Sequence, residues 1–134
     1  MSVTVEEFQA ALERGDIEAA GEMLADNVVF RSPAVFAPYE GKAATLVLLK
    51  AVSSVLQDFR YVRSFVEEHA LGLALVFEAR IGTRTIEGVD LLRLNSMGKV
   101  DDFRVMVRPQ TGIEALMTAM VPAIERVLVE QGAS

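Results

Sequence analysis

Apolar side chains along this chain recur first at helical spacing and then at strand spacing. Val5, Phe8, Ala11 and Leu12 share one helical face, with Thr4 placed as a cap and Glu6 and Glu7 in the first turn, where a helix dipole favours negative charge. Gly15 ends that run, and Asp16 is placed to cap a second short helix with Ile17, Ala20, Met23 and Leu24 on one face. From Asn27 the pattern switches to a strand over Val28-Val29-Phe30-Arg31, closed by Ser32-Pro33. Residues 33–41 form a loop with two prolines that ends at Gly41. A third helix covers about 42–56 and is apolar on most sides, which predicts that it is buried.

The second half reads as a strand meander. Phe59 to Glu67 is rich in aromatic and β-branched residues, and His69-Ala70 is a turn. Leu71 to Ile81 forms the next strand, Gly82-Thr83 a tight hairpin turn, and Arg84 to Leu94 the return. Asn95 to Gly98 turns again before a last strand over Lys99 to Arg108, which Pro109 stops. Thr111 is placed as an N-cap with Glu114 at the capping-box position. Ile113, Leu116, Met117, Met120, Ile124, Val127 and Leu128 then form a helical stripe, and Pro122 predicts a kink or two abutting helices. Helices segregated to one side of an antiparallel sheet make an α+β domain, here one domain over 1–134.

Composition narrows the chemistry. There is no cysteine, which removes disulfides, thiol nucleophiles and thiolate metal sites, and the single histidine, His69, argues against a histidine-based metal centre. No metal site and no cofactor motif is read: Gly41, Gly88 and Gly98 are scattered, without a glycine-rich phosphate loop. A formal charge of -6 disfavours nucleic acid as a partner. The start lacks the apolar run of a signal peptide and no stretch is long enough to span a bilayer, so a cytoplasmic protein without a membrane partner is expected.

Particular segments carry a family likeness. Gly15-Asp16-Ile17-Glu18-Ala19-Ala20 precedes Leu24-Ala25-Asp26-Asn27-Val28-Val29-Phe30; Tyr39-Glu40-Gly41-Lys42 opens the third helix; Glu87-Gly88-Val89-Asp90 and Gly98-Lys99-Val100 lie in the sheet. In their order and spacing, over about residues 5–108, the chain resembles the polyketide-cyclase-like (SnoaL-like) branch of the nuclear transport factor two-like superfamily. The resemblance implies a cone-shaped, curved antiparallel or mixed sheet wrapped around N-terminal helices, a cystatin-like roll with a C-terminal helix. It also implies a mostly apolar pocket and often a homodimer.

The resemblance implies no single reaction. Epoxide-hydrolase relatives use an Asp-Arg-Asp set with Tyr and Asn on the first strand. By position Arg80 matches the arginine, but Gly82 and Val105 stand in place of the aspartates, and Phe30 and Ser32 in place of the Tyr and Asn. That hydrolysis is rejected, because no acid protonates the epoxide and no base activates water. Cyclase-like relatives place an acid on the last strands. Here strand alternation puts Phe103, Val105 and Val107 on one apolar face, and Asp102, Arg104, Met106 and Arg108 on the other, with Asp101 at the strand's start near the rim.

Asp90 is the remaining candidate for catalysis. It lies mid-strand and aligns on the concave face with Ile86, Gly88 and Leu92. A carboxylate in an apolar pocket has a raised pKa and serves as acid or base near neutral pH; its plain alternative is a structural anchor in the sheet. Arg80 shares a strand face with Glu78. If that face is concave, Arg80 pairs Asp90 or Glu78 or holds an anionic ligand group; otherwise it belongs to a charged outer face, and the hairpin register decides. Tyr39 either donates to a ligand at the pocket mouth or packs on its own loop, Ser32 lies near the same mouth, and His69 is expected in solvent.

The expected ligand pocket therefore comprises Phe30, Ser32, Tyr39, Ile86, Gly88, Leu92, Phe103, Val105 and Val107. One reading is a domain binding a small apolar molecule, with proton-transfer chemistry of isomerase, cyclase or dehydratase type. The other is a non-catalytic dimerisation or partner-binding module whose cone is filled by its own side chains. The outer sheet face is expected to form a homodimer.

Overall fold

The computed structural model describes residues 5–132. Helix α1 spans Val5–Glu13, helix α2 Ile17–Gly21, strand β1 Leu24–Arg31 and the two-residue strand β2 Tyr39–Glu40. Helix α3 covers Lys42–Val55, strand β3 Gln57–Val66 and a short 3-10 turn Glu68–Ala70. Strands β4 (Gly72–Ile81), β5 (Arg84–Leu94) and β6 (Val100–Arg108) lead to helix α4, Gln110–Gly132. The expected element order stands, with β1 beginning three residues before Asn27 and β2 added inside the expected loop. Asp16 caps α2 as its position predicts, its Oδ1 accepting from the Ala19 N–H at 3.1 Å. The cap expected at Thr4 lies outside the described residues.

All six strands form one open mixed sheet in the order β2-β1-β6-β5-β4-β3. Only β1 and β6 run parallel; the other neighbours are antiparallel. The tight turn after Ile81 pairs it with Arg84, which brings Leu75 opposite Asp90 and Phe77 opposite Gly88. Period-two alternation then sets the two faces. Leu73, Leu75, Phe77 and Ala79 of β4, with Ile86, Gly88, Asp90 and Leu92 of β5, are buried on the concave side. Phe8 of α1 and Phe30 of β1 pack on Phe103 of β6 at ring-centroid distances of 6.2 and 5.2 Å. Helix α3 adds Leu48 and Leu49 to the same core.

Two glycines allow close approach across this core. A Cβ on Gly88 would lie 2.5 Å from the Met106 carbonyl oxygen and collide with the Phe77 ring. A Cβ on Gly112 would collide with Ile86 Cγ2, so glycine there lets α4 seat on β5.

Helix α4 bears on two expectations. Thr111 does not cap it: the helix starts at Gln110, and the Pro109 carbonyl accepts from the Gly112 and Ile113 N–H groups at 2.9 and 3.2 Å. Pro122 does not split it, and one helix runs through Gln110–Gly132. Pro122 itself is exposed, while the adjacent Ala123 and the later Val127 pack with Ala51 of α3, so tertiary contacts hold the turns that follow the proline against α3. No helix among the described residues is long and apolar enough to cross a membrane.

Candidate active site

The concave sheet face, the end of α1, α3 and α4 enclose a cavity of about 520 Å3. Its walls are largely apolar. Phe59, Tyr61 and Phe77 form an aromatic group on the β3 and β4 side, with centroid separations of 5.0 Å (Phe59–Tyr61), 5.2 Å (Phe59–Phe77) and 6.4 Å (Tyr61–Phe77). Val105, Val107, Ile86 and Met120 contribute further apolar surface.

Asp90 reaches this cavity from the middle of β5 with only 5% of its surface exposed. Regular pairing on both sides fixes its direction: it stands opposite Leu75 of β4 and Val105 of β6, both apolar. The Tyr61 hydroxyl donates to Asp90 Oδ2 at 2.5 Å. Burial penalises the charged form and pushes the carboxyl up to about 7, while the Tyr61 hydrogen bond opposes the rise. Tyr61 is itself raised well above its ordinary value, first by burial and then by the negative charges of Asp90 and Glu13. The pair therefore holds a carboxyl able to gain or lose a proton near neutral pH in a largely apolar space.

Strand β3 supplies Tyr61 in an irregular setting. Its register against β4 shifts between Gln57 and Arg60 and again between Tyr61 and Arg63, and Asp58 takes a positive φ of 56°. Glu13, in the last turn of α1, accepts from the Tyr61 backbone N–H at 2.8 Å and also lines the cavity.

Of the residues picked out in the sequence, Phe30, Ser32, Tyr39, Ile86, Phe103, Val105 and Val107 line the cavity together with Asp90. Gly88 and Leu92 are buried on the same side but do not line it. The Phe77 ring covers Gly88, and Leu92 is part of the packed core, opposite Phe103. Arg80 is a correction. It stands opposite Thr85 on the outer face, where its guanidinium donates to Asp58 Oδ2 at 3.0 and 3.1 Å, to Gln57 Oε1 at 3.0 Å and to the Gly82 carbonyl at 2.7 Å. It neither meets Asp90 nor enters the cavity. Asp101 and Asp102 pair with Arg93 and Arg31, each at 2.9 Å, and do not line the cavity. His69 sits exposed in the turn at a φ of 70°.

Tyr61 and Glu13 escape the sequence reading. The one available signal is a hydroxyl-bearing ring in an aromatic strand, and the irregularities flanking Tyr61 hide which way it points. No group of three or more His, Cys, Asp or Glu able to hold a metal ion occurs among the described residues.

The model of the SnoaL-like domain matches residues 5–103. The chain belongs to the SnoaL-like family. Among solved structures, this SnoaL-like chain is similar to a steroid delta-isomerase from Pseudomonas aeruginosa, at 32% identity over 97% of this chain and 92% of that one, with a TM-score of 0.83. It is equally similar to an uncharacterised bacterial protein with a cystatin-like fold from Silicibacter pomeroyi DSS-3, at 32% identity, 90% and 84% coverage and a TM-score of 0.83. A protein assigned as a SnoaL-like polyketide cyclase from Shewanella denitrificans OS-217 shares the fold at 15% identity, 84% and 93% coverage and a TM-score of 0.64. No curated protein matches the sequence significantly.

Proposed function

We propose that this SnoaL-like domain binds a small, mostly apolar molecule in the cavity and transfers a proton on it through Asp90, in isomerase, cyclase or dehydratase fashion. The observation that carries the reading is the placement of Asp90: a carboxyl 5% exposed, reaching an apolar cavity, with Tyr61 as its hydrogen-bond donor and its pKa near 7. A volume of about 520 Å3 suits a drug-sized ligand and weighs against a cone closed by its own side chains. The isomerase name of the Pseudomonas aeruginosa relative supports the reaction class.

In this reading Asp90 acts as the base. Tyr61 stabilises the ionised carboxylate, and the aromatic and aliphatic walls exclude the water that would otherwise compete for the proton. Turnover should rise with pH to a plateau, with a midpoint near the carboxyl value of about 7.

The test is turnover of a β,γ-unsaturated steroid ketone, followed by the absorbance of its conjugated isomer, in wild type and Asp90→Asn. Asn preserves the size of the side chain and removes the base, so kcat should fall by roughly a hundredfold or more while thermal unfolding remains cooperative. An Asp90→Asn protein that turns over at the wild-type rate would sink the assignment.

A further inference from the structure

Strand β3 ends the sheet and pairs only with β4, so Tyr61 has no second strand to hold it. Its register against β4 also slips on both sides of the tyrosine. A hydroxyl that must stay on Asp90 Oδ2 thus comes from an irregular edge strand. On its free edge, among the described residues, the Tyr61 N–H donates to Glu13 Oε2 at 2.8 Å.

The place of Glu13 on its helix points the same way. It occupies the last turn of α1, where the helix dipole disfavours a carboxylate. The helix is stopped just beyond it: Gly15 takes a φ of +75°, and the Gly15 and Asp16 N–H groups return to the Leu12 and Ala11 carbonyls. No ion pair of Glu13 occurs among the described salt bridges, so its defined partner is the Tyr61 backbone.

We infer that Glu13 is a positioning residue, a brace from the end of α1 that fixes the edge of β3 at Tyr61 and so keeps the Tyr61 hydroxyl on Asp90. The role depends on the reach of the carboxyl group. The Tyr61 hydrogen bond is what holds the Asp90 pKa down against burial. Loosening the brace therefore moves the Asp90 titration upward. Simple removal of a nearby negative charge moves it downward, and this difference in sign separates bracing from bare electrostatics. The other titratable or charged side chains that reach the cavity are Arg14, Tyr39 and Asp58. Arg14 is paired with Asp16 at 3.3 Å and Asp58 with Arg80 at 3.0 Å, and the lining residues of α3, α4, β4 and β6 add none.

The experiment is an NMR titration of the Asp90 carboxyl carbon in the wild type, Glu13→Asp, Glu13→Gln and Tyr61→Phe, with no substrate present. Glu13→Asp keeps the charge but shortens the reach by one methylene, and should raise the midpoint by about half a pH unit or more, in the direction of Tyr61→Phe. Glu13→Gln keeps an acceptor at full reach and should leave the midpoint unraised. Glu13 is on the surface, so both variants are expected to fold. A Glu13→Asp midpoint equal to or below that of the wild type overturns the inference, as does a Glu13→Gln midpoint raised as far as that of Glu13→Asp. The inference rests on the Asp90–Tyr61 site described above but is read without turnover, so its failure is distinct from a failure of the proposed chemistry.

Discussion

At the scale of single residues, the burial of Asp90 costs stability as the pH rises, and the sign of that cost is measurable. Burial raises its pKa from the ordinary 3.8 to about 7 in the folded chain, and unfolding returns it to the ordinary value. Between those two values the folded state holds a proton that the unfolded state has lost. Stability is therefore favoured below the window and lost as the pH rises through it. The difference corresponds to about 4 kcal/mol at most. Asp90→Asn removes this titration, so the variant should gain on the wild type as the pH rises from about 4 to about 8 in denaturant unfolding. A gap that stays flat over that range contradicts the burial argument. The direction of Asp90 is legible in the sequence because β5 pairs regularly on both flanks and period-two parity survives. The outer position of Arg80 is implicit there too. A two-residue turn between Ile81 and Arg84 places Leu75 opposite Asp90 and leaves Arg80 opposite Thr85. Tyr61 is not legible, because a strand whose register slips on both sides of it has no parity to count.

At the scale of elements, the strands and turns follow local chemistry, and the errors gather in α4, where packing overrides it. Proline inside a helix removes one N–H and crowds the preceding turn, a cost of about 3 kcal/mol in an unsupported helix. Here Pro122 is exposed, and the contacts of Ala123 and Val127 with Ala51 hold the next turns against α3. The sequence contains the proline but not the strength of those contacts, which depend on a partner helix about 70 residues earlier. Thr111 fails as a cap for a related reason: the Pro109 carbonyl already accepts the first helical N–H groups. If α4 is continuous against the preference of its own proline, Pro122→Ala should relieve most of that cost. Part of the gain is offset by the extra freedom of alanine in the unfolded chain. The expected net stabilisation is about 2 kcal/mol, seen as a higher urea midpoint with an unchanged slope. A variant no more stable than the wild type would mean that the helix is bent to suit proline at this position.

At the scale of the whole molecule, the sheet has one face committed to the cavity and the other uncovered. Two rows cross that outer face by register: Phe65, Ala74, Leu91 and Arg104 in one, Arg63, Val76, Val89 and Met106 in the next. Val76, Val89 and Leu91 are half-buried, and Phe65 and Met106 remain 49% and 47% exposed. Charged pairs flank this strip, Arg60 with Glu78 at 2.6 Å and Arg108 with Glu87 at 3.1 Å in the row on one side, and Arg93 with Asp101 at 2.9 Å on the other. An apolar centre with a charged rim of both signs suits a two-fold contact, in which each copy offers the same patch to the other. We therefore expect a homodimer through this face at micromolar concentration. Met106→Glu would put two like charges near the centre of such a contact and should give a monomer in sedimentation velocity. Because Met106 points away from the cavity, the Asp90 titration should be unaltered in that monomer. A wild type that sediments as a monomer removes the dimer. A Met106→Glu protein that stays dimeric assigns the contact to another surface, of which the exposed Val121, Leu128 and Val129 of α4 are the nearest apolar alternative.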